Sequence, residues 1–210
     1  MHSVNSRDIV KALRLATAEL HVQLDSHLPL AQASPTLTDY GRHLIVFSLW
    51  LQHIGRLIVS RPDNQYQGFL HDHSHALNLL EKDMAALKLA SQLEERLEDD
   101  TIDCSTDSCP YALSLPFLVG IEYVVKGSSL GSTFLYPKVL QRFPDAPVYY
   151  MQDSALHGKA RWQGYLNSLD GHDWSSTALH SAQDGAVWAF NQFIHINNII
   201  QTNKKHREMA

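Results

Sequence analysis

The sequence is poor in cysteine and in long apolar runs, and these two shortages exclude several classes of protein. Only two of the 210 residues are cysteine, Cys104 and Cys109, which is too few for a disulfide framework. Their spacing matches neither a zinc site nor a thioredoxin motif, so two reduced thiols near a loop are the simplest interpretation. The two apolar stretches, 44–60 and 111–125, are interrupted before the roughly 20 residues that a membrane span needs. We therefore expect no membrane segment.

Positive charge is also scarce. The chain has 17 Lys and Arg against 22 Asp and Glu, a formal net charge of −5, so we expect no broad basic surface and no nucleic-acid partner. No apolar stretch follows a positive start near the amino terminus, so a secretory signal is not predicted. With 44% hydrophobic and 19% charged residues, the composition predicts a soluble globular protein, which we expect to be cytoplasmic.

Most of the sequence shows the apolar periodicity of α-helices. Over 9–24 the apolar residues recur every three or four positions, which predicts one amphipathic helix that ends before Pro29. The same signals predict further helices over about 38–60 (with Thr38 as its N-cap), 69–89, 93–97, 115–143, 149–169 and 175–202, and a turn-rich break over 99–110. Strand and repeat signals are missing. We therefore predict a single all-α domain over residues 1–210, with seven or eight helices.

Two side chains near the amino terminus form the first candidate site. His21 and Arg14 are seven residues apart on the predicted first helix. They therefore project from nearly the same face, about 10.5 Å apart along the helix axis. An imidazole can ligate a metal ion, and a guanidinium pairs with a carboxylate in fork geometry. Because the chain has 13 histidines, a surface or hydrogen-bonded role for His21 remains the alternative.

The second candidate site is a glycine-containing segment inside a strongly helical run, 117–135. Gly127 and Gly131 are one turn apart, so both missing Cβ atoms open the same helix face. A glycine inside a helix costs about 1 kcal/mol relative to alanine, which favours a place where a side chain would obstruct something. Such a face suits a planar ligand and favours a kink. Two alternatives stay open: a close helix–helix crossing without a ligand, or a helix that ends there in a loop.

Taken together, these segments resemble the heme oxygenase family. The stretch 13–21, LRLATAELH, is similar to that family's proximal helix, in which a basic residue, Ala-Thr and the ligand histidine follow in order. The stretch 123–131, YVVKGSSLG, resembles its distal helix, especially in the bacterial members associated with phytochromes. The segment 80–87, LEKDMAAL, is also similar. The resemblance covers most of the chain in the order and number of helices.

The resemblance implies roles for the basic residues and for the histidine. His21 would ligate the heme iron through a neutral imidazole, and Arg14 would hold a propionate. The separation between these two residues is close to the reach from a heme iron to its propionates. Arg161, on a later helix, matches a basic position near the propionates.

The resemblance also implies roles on the distal side. Gly127 and Gly131 would press backbone against the heme and leave room only for bound dioxygen. Ser128 belongs to the polar, uncharged run beside them, where a water network would deliver protons. Tyr123 and Lys126 flank this turn as residues of the heme pocket.

As a whole, the resemblance implies an enzyme that degrades heme to biliverdin, carbon monoxide and iron. Heme b would be both substrate and cofactor, dioxygen the oxidant, a separate reductase or ferredoxin the electron donor, and a phytochrome a receiver of biliverdin. Ser132 departs from the pattern, because a glycine commonly follows the second distal glycine. It motivates one alternative, a heme-binding or heme-handling protein of this fold without turnover. Another alternative is a relative with a different ligand, such as a thiaminase-like or quinone-cofactor-forming enzyme.

Overall fold

The computed structural model describes residues 6–59, 67–89, 113–170 and 174–208. Within these ranges the chain forms seven α-helices: α1 (Ser6–Ala16), α2 (Ala18–His27), α3 (Leu37–Val59), α4 (Gln67–Ala86), α5 (Leu115–Arg142), α6 (Tyr149–Leu169) and α7 (Ser176–Glu208). A single 3-10 turn, Pro29–Ala31, follows α2, and the described ranges contain no strand. The predicted all-α fold is confirmed. The predicted helix over 93–97, the predicted break over 99–110 and both cysteines lie outside the described residues.

The helices are distributed over two compact units. The first unit comprises Met1–Leu28, Tyr111–Lys138 and Met151–Asn191. The second unit comprises the remaining segments, Pro29–Pro110, Val139–Tyr150 and Gln192–Ala210. All residues of both candidate sites belong to the first unit.

Two glycines allow α5 and α7 to cross closely within the first unit. A Cβ on Gly120 would collide with the carbonyl group of Ala182, and a Cβ on Gly185 would collide with the carbonyl group of Phe117. The ring of Phe117 packs on that of Trp188 at the same crossing, with centroids 6.1 Å apart. Backbone therefore meets backbone here, and the two glycines are required by helix packing.

The predicted first helix is wrong in one respect, because it is interrupted at Thr17. Thr17 has φ −106° and ψ 4°, and it separates α1 from α2. Its side chain is fully buried, as are those of Ile9 and Leu13 on α1. The apolar pattern identified the helical segment but carried no signal for this interruption. α2 ends at His27, before Pro29, as predicted.

α3 begins at Leu37, one residue before the predicted start, and its N-cap is Thr36, so the prediction of Thr38 as the N-cap is wrong. The Thr36 hydroxyl accepts the backbone N–H of Asp39 at 3.2 Å, and the Asp39 carboxylate accepts the backbone N–H of Thr36 at 2.9 Å. These reciprocal bonds form a capping box, which satisfies backbone donors that the first turn leaves without a helical partner.

A buried carboxylate caps α6 within the second unit. Asp83 of α4 is fully buried and accepts the backbone N–H groups of Tyr149 and Tyr150 at 2.8 and 2.9 Å. The Tyr40 hydroxyl donates to the carbonyl oxygen of Pro147 at 2.8 Å, just before this helix. A negative charge at a helix N-terminus is favourable, so the carboxylate anchors the start of α6. Burial raises the pKa of Asp83, and the two backbone hydrogen bonds oppose that rise.

Burial of His43 in the second unit predicts a stability that falls in acid. Its side chain is only 5% exposed and packs against Phe47, with ring centroids 4.6 Å apart. Among the described residues, its Nδ1 atom has no hydrogen-bond partner. Burial lowers the pKa of His43 from 6.5 to about 3. The folded state disfavours the charged ring, so protonation of His43 favours unfolding. Its contribution to the free energy of unfolding is therefore complete above pH 6.5 and is lost as the pH falls from 6.5 toward about 3.

Acidification from about pH 7 to about pH 5 should therefore lower the free energy of unfolding of the wild type by about 2 kcal/mol through His43. Urea denaturation of the wild type and of His43→Leu at both pH values measures the effect as a difference. The leucine variant should lose that much less stability on acidification. Equal losses in the two proteins would show that His43 does not titrate on unfolding.

Candidate functional site

His21 lies on α2 with one side of its ring against an aromatic residue of the same unit. The imidazole packs edge-on against Phe190 of α7, with centroids 4.4 Å apart and an interplanar angle of 64°. Its backbone N–H donates to the Thr17 carbonyl oxygen at 3.0 Å. The residue is otherwise exposed to solvent. The backbone and Phe190 therefore orient the imidazole, while part of the ring remains accessible to a ligand.

The surroundings of His21 favour a neutral imidazole. Burial lowers its pKa, the charge of Asp25 raises it, and the charge of Arg14 lowers it further, with burial the largest of the three effects. A neutral imidazole keeps a lone pair on one ring nitrogen, which is the form that ligates metal ions. The protonation state therefore suits the role predicted for this residue.

Arg14 lies in the last turn of α1 and is exposed. The interruption at Thr17 means that Arg14 and His21 do not share one straight helix, so the axial separation predicted for a continuous helix does not apply. Arg14 is nevertheless close enough for its charge to lower the pKa of His21. The structure thus keeps the predicted cation and the predicted ligand near each other.

At the second candidate site, Gly131 faces open space, and Gly127 has room for a side chain atom. No described atom lies within 4 Å of a Cβ placed on Gly131, and a Cβ on Gly127 would meet only Cζ3 of Trp162, at an ordinary 3.9 Å. This situation is the opposite of that at Gly120 and Gly185, where backbone fills the position. The helix-crossing alternative therefore does not explain Gly127 and Gly131.

The alternative that α5 ends at these glycines is wrong. The helix continues through both of them, and through Pro137, as far as Arg142. α5 therefore presents an unbroken surface on which side chains are missing at two positions one turn apart. Because glycine is unfavourable inside a helix, and packing does not require it at these positions, the open face fits a ligand that approaches the backbone.

Two serines beside the glycines differ in their surroundings. The Ser128 hydroxyl donates to the carbonyl oxygen of Val125 at 2.7 Å, so in this structure its proton is directed back into the helix. Ser132, the residue that departs from the family pattern, is only 3% exposed, whereas its neighbour Gly131 is exposed. The Ser132 side chain is therefore turned into the protein and does not occupy the open space beside Gly131.

An aromatic cluster lies beside the part of α5 that carries Gly127 and Gly131. The ring of Tyr123 on α5 lies 5.7 Å from that of Trp162 and 6.5 Å from that of Tyr165, both on α6. The Tyr165 hydroxyl donates to the Val119 carbonyl oxygen at 3.3 Å, which joins α6 to α5. Tyr123 and Lys126 are both buried, each 6% exposed. These contacts support the part of α5 that carries the glycines.

Arg161 already holds a carboxylate in this structure. Its guanidinium donates to the side chain of Asp153 at 2.7 Å, and the two side chains are 20% and 17% exposed. Nε2 of His157 lies 3.9 Å from the other oxygen of the same carboxylate. A propionate at Arg161 would therefore have to use the guanidinium donors that Asp153 leaves free, or displace this ion pair.

The described residues contain no group of three or more His, Cys, Asp or Glu that could hold a metal ion. A single imidazole such as His21 fits an iron whose other ligands are the porphyrin nitrogens. In the parts of the chain that are described, no helix combines the length and the apolar character needed to cross a membrane.

Comparison with known families identifies the family of the chain. The family model for heme oxygenase matches residues 7–198, which include every candidate site residue in both segments. None of the curated proteins matches the chain. Because the match extends over nearly the whole sequence and the fold is all-α, the protein belongs to the heme oxygenase family.

Proposed function

We propose that the protein binds heme between His21 and the open face of α5 and oxidises it to biliverdin, carbon monoxide and iron. Dioxygen is the oxidant, and a separate reductase or ferredoxin supplies the electrons. The observation that carries the proposal is the open space at Gly131, one turn after Gly127, where no close contact with a described atom requires a glycine. It lies in the same compact unit as an accessible imidazole whose pKa is lowered.

The residues of this chain have separate tasks in the proposed reaction. Heme is the substrate, and its own iron supplies the redox chemistry toward dioxygen. His21 holds the iron as a neutral ligand, and Phe190 restrains the ring of His21. On the other side, Gly127 and Gly131 admit the flat substrate close to the helix backbone and restrict the space left for dioxygen.

Polar groups of the same unit bind the propionates and order the water that supplies protons. Arg14 pairs with one propionate, which fixes the rotation of the substrate about the iron–imidazole axis. Arg161 is the second propionate candidate, and Tyr123 and Lys126 belong to the pocket. Ser128 orders water near the distal face through its hydroxyl oxygen, which can still accept hydrogen bonds while its proton is donated to Val125.

We further propose that the chain functions as one heme oxygenase domain in the cytoplasm and passes biliverdin to a phytochrome. The single family match, which runs through segments of both units, supports one functional domain. The resemblance of the distal segment to bacterial members associated with phytochromes supports the receiver.

The test is a single-turnover reaction of the purified protein with hemin. The ferric complex is formed without oxygen and reduced chemically, and dioxygen is then admitted. Loss of the Soret band with the appearance of biliverdin absorption is the expected result, and chromatography of the biliverdin isomers identifies the carbon that is cleaved. An intact Soret band after complete reduction would instead identify a heme-binding protein without turnover. No hemin uptake at all would reject a heme ligand.

A further inference from the structure

Thr17 stands between the helix that carries Arg14 and the helix that carries His21. Its side chain is fully buried. The hydroxyl donates to the carbonyl oxygen of Leu13 at 2.9 Å, and the backbone N–H of Thr17 donates to the same oxygen at 3.1 Å. One carbonyl thus accepts two hydrogen bonds from one residue, at the point where the backbone leaves helical geometry.

The interruption has a local chemical cause. The segment 6–27 contains neither glycine nor proline, which are the usual residues at helix breaks. A threonine hydroxyl that bonds to the carbonyl four residues earlier competes with the backbone and bends helices. At Thr17 the hydroxyl cannot turn to solvent instead, because the side chain is fully buried.

A backbone hydrogen bond connects Thr17 directly to the candidate ligand, His21. The Thr17 carbonyl oxygen accepts the backbone N–H of His21 at 3.0 Å, so the first turn of α2 starts from Thr17. The His21 ring then meets Phe190, with centroids 4.4 Å apart. The backbone conformation at Thr17 therefore helps to determine where the imidazole lies.

We infer that the Thr17 hydroxyl is a positioning group for His21. It holds the backbone conformation that joins α1 to α2 at Thr17, and so it orients the imidazole toward its ligand. The inference rests on the proposed function, in which His21 holds the heme iron. A residue that only filled the core at this point would act through its volume and not through its hydroxyl.

The test compares Thr17→Val, which keeps the shape and loses the hydroxyl, with Thr17→Ser, which keeps the hydroxyl and loses a methyl group. The valine variant should bind ferric hemin about 10- to 100-fold more weakly, the range typical for loss of a group that orients a metal ligand. Its ferric spectrum should also show altered axial coordination. The serine variant should resemble the wild type in both respects.

A second readout needs no heme. In the free protein, NMR follows the contact between the rings of His21 and Phe190 through their nuclear Overhauser effects. Loss of the hydroxyl should move the imidazole away from Phe190 and weaken these effects, whereas Thr17→Ser should keep them. If Thr17→Val does not fold, Thr17→Ala provides a smaller variant without the hydroxyl.

Each outcome bears on a different statement. A hydroxyl-free variant with the hemin affinity, the spectrum and the His21–Phe190 contact of the wild type would overturn the positioning role. Equal defects in the serine variant would assign the effect to side-chain volume and also overturn it. A wild-type protein without axial coordination by His21 would reject the proposed function, and the NMR contact between His21 and Phe190 in the free protein would still decide whether Thr17 orients the ring.

Discussion

Replacement of His21 by alanine is expected to abolish axial coordination of ferric hemin by the protein. Because this imidazole is the proposed protein ligand to the iron, its loss should shift the Soret band and reduce turnover by at least about 100-fold. The side chain is exposed and contacts Phe190 at one edge, so the thermal unfolding midpoint should hardly change. Absorption spectroscopy of the hemin complex and single-turnover kinetics measure the two effects.

His180→Ala is the matched control for this substitution. His180 lies on α7, belongs to the same compact unit and is exposed, but it is not a candidate ligand. It should leave the hemin spectrum unchanged. Added imidazole should restore axial coordination in His21→Ala, because a free ligand can occupy the vacated position. A wild-type spectrum in the alanine variant would mean that another group holds the iron.

Replacement of Gly131 by leucine is expected to change stability and binding in opposite directions. No described atom lies within 4 Å of a Cβ placed at this position, so loss of a helical glycine should stabilise the fold by about 1 kcal/mol. The same side chain would occupy the face on which heme is proposed to lie. Hemin affinity should therefore fall by about 10- to 100-fold, as expected for a clash of this size.

Gly164→Leu provides the control because Gly164 is also helical and exposed, and no described atom lies within 4 Å of its Cβ position. It should gain similar stability without loss of hemin affinity. Thermal denaturation and hemin titration of both variants measure the two quantities independently. Equal hemin affinity in the two leucine variants would show that the face at Gly131 does not contact the substrate.

Much of the helical architecture was predictable because it depends on local periodicity. The bounds predicted for α6 are those observed, and the start of α5 agrees with the prediction. The capping residue of α3 was mistaken for Thr38, because several polar residues near a helix start are equivalent in the sequence. Only the bond partners in the structure identify Thr36.

The candidate site was less accessible to prediction, because its residues come from distant parts of the chain. Phe190 is 169 residues after His21, and neither periodicity nor spacing predicts that their rings meet. The pairing of Arg161 with Asp153 was likewise missed, although a spacing of eight residues on one helix is compatible with a shared face. Thr17 carried a faint signal, since it continues the spacing of Ile9 and Leu13 into the buried stripe.

The order of residues along the chain was enough to specify helices, their approximate ends and the two segments that resemble a heme-binding family, because these properties depend on neighbours within one or two turns. Folding in three dimensions assigned different roles to chemically identical residues. Gly120 and Gly131 are both glycines of α5. The backbone of α7 occupies the space that a Cβ on Gly120 would need, whereas Gly131 faces open space. That difference depends on which helix packs over each position, and no local pattern contains this information.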